Sequence, residues 1–160
     1  MTEISTLTKR RLQAQVIKPI YEEMEQVLGA EKAQQILADA IRKASVAEAR
    51  EFAEKAPGKK TDMASFISLY DLWSQDGALE VEIIEESTDR YDFDVTRCRF
   101  AEMYHEMGLG HIGHLLSCHR DGTFCEGYDP AISLEREQTI MQGNERCTFR
   151  YRYKAPEDAS

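Results

Sequence analysis

The sequence predicts a single α+β domain, in which N-terminal helices pack on an antiparallel sheet of two hairpins and short helices lie between the hairpins. Apolar residues recur at helical spacing in residues 1–76 and alternate with polar residues in residues 77–154. Residues 98–125, between the predicted hairpins, hold all four histidines and three of the four cysteines. We therefore treat residues 1–160 as one domain, and we expect the polar tail, residues 155–160, to fray.

The first predicted helix follows a series of apolar residues spaced four or five positions apart. Gly29 supplies its stop signal. Pro19 lies within the series and is expected to kink or split the helix, because proline lacks the backbone N–H of a helix interior. The apolar positions are Leu7, Leu12, Val16, Ile20, Met24 and Leu28.

Two further helices are predicted before the strands begin. Residues 31–55 are rich in Ala, Glu, Lys and Gln, which favour helix, and a Pro-Gly pair ends the run. Thr61 or Asp62 then caps a third helix. This helix carries Tyr70 and Trp73, which are candidates for the wall of a pocket.

The two hairpins are predicted from apolar and polar residues that alternate. In the first, the alternation covers residues 79–83 and 91–95, and residues 87–89 form the turn. In the second, residues 133–142 pair with residues 147–153 across a Gly-Asn turn. Two hairpins in sequence favour one antiparallel sheet that carries helices on one face.

Composition narrows the classes of partner. The net charge of -9 argues against nucleic acid or an anionic membrane as the main partner and leaves a small molecule. No apolar run is long enough to span a membrane, and the N-terminal residues lack the apolar segment of a signal peptide. A cytoplasmic location is therefore expected, where the cysteines stay reduced. The composition is compatible with a homo-oligomer.

Metal binding is the first alternative for the histidines. His105 and Glu106 open like the zinc motif H-E-x-x-H, but position 109 is leucine, so the second histidine ligand is missing. His111 and His114 are three residues apart and could share a metal on a helix. The Cys-x-x-Cys pairs of structural zinc sites are absent from the sequence. We therefore expect no metal and no cofactor. The alternative is a metal ion bound by His111 and His114.

The second candidate site centres on Cys118 and Asp121. A thiolate is the attacking form of cysteine, and a nearby base or cation promotes its formation. Glu102 and His105, from the preceding helix, or His119 could carry the proton. In the alternative interpretation, Cys118 is a core residue and Asp121 caps the next short helix.

Two arginines stand out because strand alternation places them on apolar faces. Arg97 continues the face of Phe93, and Arg136 shares the face of Leu134. A buried guanidinium must meet an anion, either a substrate carboxylate or an internal glutamate. A β-bulge at either strand end would reverse the alternation and remove the inference.

Several motifs occur in order through the last third of the chain. They are Arg97-Cys98 before a helix with Glu102, the stretch GLGHIGHLLSC, Cys118-x-x-Asp121, Leu134-x-Arg136-x-x-Thr139-Ile140, Gly143, and Cys147-x-Phe149-x-Tyr151. With these motifs, the run from 97 to 153 resembles the L-2-amino-thiazoline-4-carboxylate hydrolase family. The resemblance implies hydrolytic opening of a small cyclic amidine, in which 2-amino-thiazoline-4-carboxylate and water give N-carbamoyl-cysteine.

The leading hypothesis is a hydrolase that opens a small, carboxylate-bearing cyclic amidine or amide at a C–N bond. Cys118 is either the nucleophile or the thiol that orients water. The alternative is a non-catalytic module that binds a small ligand or a metal in the same pocket. The candidate catalytic residues are Cys118, Asp121, Glu102, His105 and His119, and the candidate substrate-binding residues are Arg97, Arg136 and Thr139.

Overall fold

Helices come first along the chain and strands follow, as the sequence predicts. The computed structural model describes residues 3–154, so the predicted fraying of residues 155–160 lies outside the described residues. The helices are α1 (Thr6–Leu28), α2 (Ala30–Glu54), α3 (Met63–Ser68), α4 (Tyr70–Ser74), α5 (Arg99–Glu106) and α6 (His119–Tyr128). The strands are β1 (Leu79–Glu86), β2 (Arg90–Cys98), β3 (Ile132–Glu135) and β4 (Cys147–Tyr153). The predicted α+β class is confirmed.

The four strands form one antiparallel sheet in the order β1-β2-β4-β3. The two predicted hairpins are therefore joined through β2 and β4. Side chains on the inner face are aromatic, and Phe93 stacks on its cross-strand partner Phe149 with 4.6 Å between ring centroids. Asp92 and Asp94 point to the outer face, where arginines of β4 and the preceding loop hold them.

The second hairpin departs from its prediction at β3. This strand ends at Glu135, and the prediction of a strand over residues 136–142 is wrong. The hydroxyl of Thr148 accepts the backbone N–H of Glu137 at 3.1 Å, in place of a strand partner. Thr139 then caps a short 3-10 turn, Ile140–Gln142, by accepting the Gln142 N–H at 3.3 Å.

Helix α1 runs through Pro19 without the predicted interruption. Because Pro19 has no N–H, the carbonyl of Gln15 one turn earlier has no backbone donor. Gln15 and Pro19 are both exposed, so water can donate to that carbonyl. The buried residues of α1 are Arg10, Ala14 and Tyr21. None of the helices in the described part of the chain is long and apolar enough to cross a membrane.

The remaining helices cover the inner face of the sheet. The third predicted helix is divided at Leu69 into α3 and α4, and Asp62 caps α3 as expected. Helices α2 and α6 approach closely at Gly127, where an added Cβ would lie 2.3 Å from the backbone oxygen of Val46. This close packing fixes α6, whose first turn carries the candidate site.

Candidate functional site

A cavity of about 60 Å³ lies between the inner face of the sheet, helix α4 and the start of α6. A cavity of this size can take only a small ligand. The predicted wall residues Tyr70 and Trp73 both line it. Its other apolar walls include Leu79, Val95, Phe100, Met141 and Phe149.

The polypeptide enters the site through an unusual turn. Residues His114–Cys118 form one π-helical turn, which leads directly into α6. Tight packing precedes it, since an added Cβ at Gly113 would lie 2.6 Å from the sulfur of Met141. The turn brings Cys118 to the cavity, and Asp121 follows in the first turn of α6.

Asp121 and Arg136 form a partly buried ion pair at the cavity. Arg136 Nη1 donates to Asp121 Oδ2 at 2.7 Å, and Nη2 donates to the backbone oxygen of Cys118 at 3.0 Å. The guanidinium also lies over the Phe149 ring, 5.0 Å from its centroid. Burial raises the pKa of Asp121, and Arg136 opposes that shift. Cys118, Asp121 and Arg136 thus converge on one space, although their catalytic and binding roles remain a prediction.

Three thiols face this cavity: those of Cys98, Cys118 and Cys147. Burial raises the pKa of Cys98 to about 11. Burial, with a further contribution from Asp121, raises the pKa of the Cys118 thiol well above its usual value. Burial also raises the pKa of Cys147. In the free protein these cysteines are therefore neutral thiols near pH 7, and Cys118 is not an activated thiolate at rest.

Arg97 and Glu102 lie outside the cavity, so the prediction that Arg97 shares a pocket with Cys118 is wrong. Arg97 Nε donates to Glu102 Oε1 at 2.9 Å, and the side chains are 52% and 47% exposed. The cause is a β-bulge: Glu80 pairs with Arg97 while Val81 pairs with Val95. The extra residue reverses the alternation, so Cys98 faces the cavity in place of Arg97.

The other predicted site residues also lie away from the cavity. His105 is exposed and its ring fills the space beside Gly110, where an added Cβ would lie 2.3 Å from Nδ1. His119 is half-buried and borders surface grooves on the far side of Cys118. Thr139 is buried as the cap of its 3-10 turn. None of these three side chains lines the cavity.

The histidine pair considered for metal has no third ligand nearby. His111 is exposed and lies against the ring of Tyr21, with centroids 6.0 Å apart. Burial lowers the pKa of His114, and His119 lowers it further. Within residues 3–154, no three His, Cys, Asp or Glu side chains are grouped to hold a metal ion.

Sequence reasoning did not identify two arginines of the cavity, Arg10 and Arg120. Arg10 is 6% exposed although it belongs to a long helix near the N-terminus. A signal was present, because Arg10 continues the helical stripe of Ala14, Ile17 and Tyr21, which packs inward. A charged residue in an inward-facing stripe indicates a buried anion partner or a ligand.

The fold and the site define an α+β protein with a cavity that holds neutral thiols and a partly buried ion pair. The chain belongs to the L-2-amino-thiazoline-4-carboxylic acid hydrolase family, whose sequence model matches residues 9–151. The match therefore covers most of the N-terminal helices as well as residues 97–151 of the run noted above. Comparison with curated proteins gives no significant match.

Two solved structures share the fold. The phenol-responsive sensory domain of the transcription activator PoxR, with phenol, is 13% identical with a TM-score of 0.51, over 96% of this chain and 76% of that chain. A trafficking protein particle complex subunit 3 from Naegleria fowleri, covalently bound to palmitic acid, is 11% identical with a TM-score of 0.54, over 92% of this chain and 96% of that chain. At these identities the likeness shows the fold alone.

Proposed function

We propose that the protein is a hydrolase that opens a small cyclic amidine carrying a carboxylate, such as the compound in the family name. The observation that carries this proposal is the convergence of Cys118, Asp121 and Arg136 on one small, largely apolar cavity. A carboxylate excluded from bulk water is a strong partner for a protonated amidine. Family membership supports the same reaction class.

Asp121 is the group that meets the reacting end of the substrate. Its carboxylate accepts hydrogen bonds from the amidinium, and it takes a proton from the attacking water. Arg136 is already engaged with Asp121 and with the Cys118 carbonyl, so it holds the carboxylate in position and keeps it ionised. Arg136 is thus a positioning residue in this scheme.

The bond that breaks depends on the substrate. Carbon 2 of 2-amino-thiazoline-4-carboxylate is bonded to the ring sulfur, the ring nitrogen and the exocyclic nitrogen. Formation of N-carbamoyl-cysteine keeps both C–N bonds and breaks the C–S bond: the water oxygen becomes the urea carbonyl, and its two hydrogens end on the ring nitrogen and on sulfur. The expected cleavage of a C–N bond therefore does not apply to this compound and is kept for cyclic amidines without a ring sulfur.

Cys118 has two roles that the structure allows. Its neutral thiol can orient the water, or it can attack carbon 2 after Asp121 removes its proton. In the second route the ring C–S bond breaks and the ring sulfur leaves as a thiol with the proton from Asp121. Water then attacks carbon 2, its oxygen becomes the urea carbonyl, and Cys118 is released as a thiol. The raised pKa of Cys118 favours the water route, because little thiolate is present near pH 7. We therefore expect iodoacetamide to alkylate Cys118 slowly in the free protein.

The test is turnover of 2-amino-thiazoline-4-carboxylate, followed by release of a free thiol and by mass spectrometry of the product. Asp121→Asn should lower kcat by about a hundredfold to ten-thousandfold, the usual effect of losing a general base. Cys118→Ala should lower it by at least about a hundredfold if the thiol attacks carbon 2. The control Cys125→Ala removes a buried thiol outside the cavity and should retain normal turnover.

Each result separates the mechanisms. Normal turnover in Cys118→Ala removes the thiol from the mechanism, both as a nucleophile and as the group that orients water, and leaves Asp121 to activate the water. Normal turnover in Asp121→Asn refutes the proposed base. Loss of activity in Cys125→Ala to the same extent would show that the effects are structural.

A binding module without turnover is the second candidate. The observation in its favour is the aromatic lining, with Tyr70, Trp73 and Phe149 around a cavity whose thiols are neutral. The PoxR sensory domain, which shares the fold, is described as phenol-responsive. Saturable binding of phenol, together with no product from the cyclic amidine, would favour this candidate.

A further inference from the structure

Arg10 and Arg120 are two cavity residues that the proposed reaction does not use. Arg10 comes from α1 and Arg120 from the first turn of α6, and both line the cavity with Cys118 and Asp121. Their side chains are 7% and 11% exposed. Two buried guanidinium groups in one wall are unfavourable unless an anion compensates them.

The protein supplies only weak compensation. Glu48 Oε2 lies 3.9 Å from Arg10 Nη2 and 3.7 Å from Arg120 Nη1, both too long for a hydrogen bond. Glu48 is 41% exposed and borders an adjacent smaller pocket, not the cavity itself. Among residues 3–154, this half-exposed carboxylate is the only one within 4 Å of either arginine, and Asp121 acts on them from farther away while it is paired with Arg136.

The hydrogen bonds of the two arginines are also incomplete. Arg10 donates to Gln13 Oε1 at 3.1 Å, and Arg120 Nε donates to the backbone oxygen of Leu116 at 2.9 Å. A guanidinium has five N–H donors, so most donors of both groups have no protein acceptor within residues 3–154. Burial, and then the charge of Arg10, lower the pKa of Arg120 to about 10.

We propose that Arg10 and Arg120 together bind the carboxylate of the ligand. The identity of that ligand rests on the proposed function, in which Asp121 meets the amidine end in the same cavity. Arg136 is unsuited to this role, since its guanidinium is already held by Asp121 and by the Cys118 carbonyl. The arrangement makes the site selective for ligands that carry one anionic and one cationic group.

The experiment compares two ligands by calorimetric titration: 2-amino-thiazoline-4-carboxylate, and 2-amino-thiazoline, which lacks the carboxylate. The wild-type protein should bind the acid at least about tenfold more tightly, as expected for charge-assisted hydrogen bonds. Arg120→Gln and Arg10→Gln should each weaken binding of the acid by about tenfold to a hundredfold and leave 2-amino-thiazoline unaffected. Arg42→Gln, an exposed arginine paired with Glu126, is the matched control and should change neither affinity.

A gain of affinity guards against variants that fail to fold. Glu48→Gln removes the carboxylate that competes for both arginines, so the acid should bind several-fold more tightly to this variant. The inference is overturned if the wild-type protein does not bind the acid or binds both ligands equally. It is also overturned if Arg120→Gln still prefers the acid as strongly as the wild type does, or if Glu48→Gln weakens binding of the acid. Because the titration measures binding and not turnover, preferential binding of the acid without any product would refute the hydrolase and leave the carboxylate site in place.

Discussion

Removing the arginine of the Arg136–Asp121 pair should destabilise the fold by an amount that depends on pH. Arg136→Gln leaves the Asp121 carboxylate in a largely apolar cavity without its direct partner. Breaking a buried ion pair in this way costs ~3–5 kcal/mol of unfolding free energy. The two side chains keep 16% and 27% of their area exposed, so we expect the low end, about 3 kcal/mol near pH 7.5.

The cost should shrink as the pH falls. Burial raises the pKa of Asp121 in the folded protein, and Arg136 opposes the shift, so the pKa rises further in Arg136→Gln. Such a carboxyl group has a higher pKa in the folded than in the unfolded protein. It contributes stability below the unfolded-state pKa, and this contribution is lost as the pH rises through the folded-state pKa. The variant should therefore approach the wild-type stability towards pH 4.5.

Urea unfolding followed by circular dichroism measures both effects. Four proteins are needed: wild type, Arg136→Gln, Asp121→Asn and the double variant, each at pH 7.5 and pH 4.5. We expect a coupling energy of about 1–3 kcal/mol between the two positions at the higher pH. The exposed pair of Arg42 and Glu126 is the control, and Arg42→Gln should cost less than about 1 kcal/mol. A cost for Arg136→Gln below about 1 kcal/mol, or one that is equal at both pH values, would refute the reasoning.

Three further predictions concern packing, pH and the corrected site. Gly127→Ala should destabilise by about 1–3 kcal/mol because its Cβ would meet the Val46 carbonyl, whereas Gly122→Ala, which has open space around it, should be neutral or stabilising by up to about 1 kcal/mol in urea unfolding. Burial tends to raise the pKa of Asp94, but its two arginine partners outweigh burial and lower it. The free energy of unfolding that Asp94→Asn loses at pH 7 should therefore become smaller as the pH falls through the folded-state pKa of Asp94, as measured by urea unfolding. Arg97→Ala should leave the affinity for 2-amino-thiazoline-4-carboxylate unchanged in the calorimetric titration. A large loss of affinity would show that Arg97 takes part in ligand binding after all.

Periodicity predicted the helices but not the face of α1 that is buried. The apolar residues Leu12, Val16 and Ile20 contributed to the prediction, yet they are 50%, 63% and 54% exposed. The buried stripe instead passes through Arg10 and Tyr21. A helix with apolar residues on two faces gives a clear helical period without showing which face meets the core, because that choice depends on contacts with α2 and α5.

The alternation of apolar and polar residues predicted which side chains face inward only where the strand is regular. It assigned the inner and outer faces of β2 correctly from Tyr91 to Val95, and it failed at Arg97 because a bulge adds one residue. Arg136 reaches the cavity although β3 ends at Glu135, one residue before it. Bulges and strand ends depend on partner strands, which the local sequence does not show.

The charges of the cavity help to choose between the two candidate functions. Arg10, Arg120 and Arg136 line it, and Asp121 is the one carboxylate of residues 3–154 that does so. A neutral ligand such as phenol would fill the apolar space but would leave Arg10 and Arg120 with only the half-exposed Glu48 as a nearby anion. A ligand with a carboxylate at one end and an amidinium at the other adds no net charge, but its carboxylate pairs with Arg10 and Arg120 while its amidinium completes the interactions of Asp121. Because the energetic cost of uncompensated buried charge is large, the charge pattern favours the carboxylate-bearing amidine over a neutral aromatic ligand.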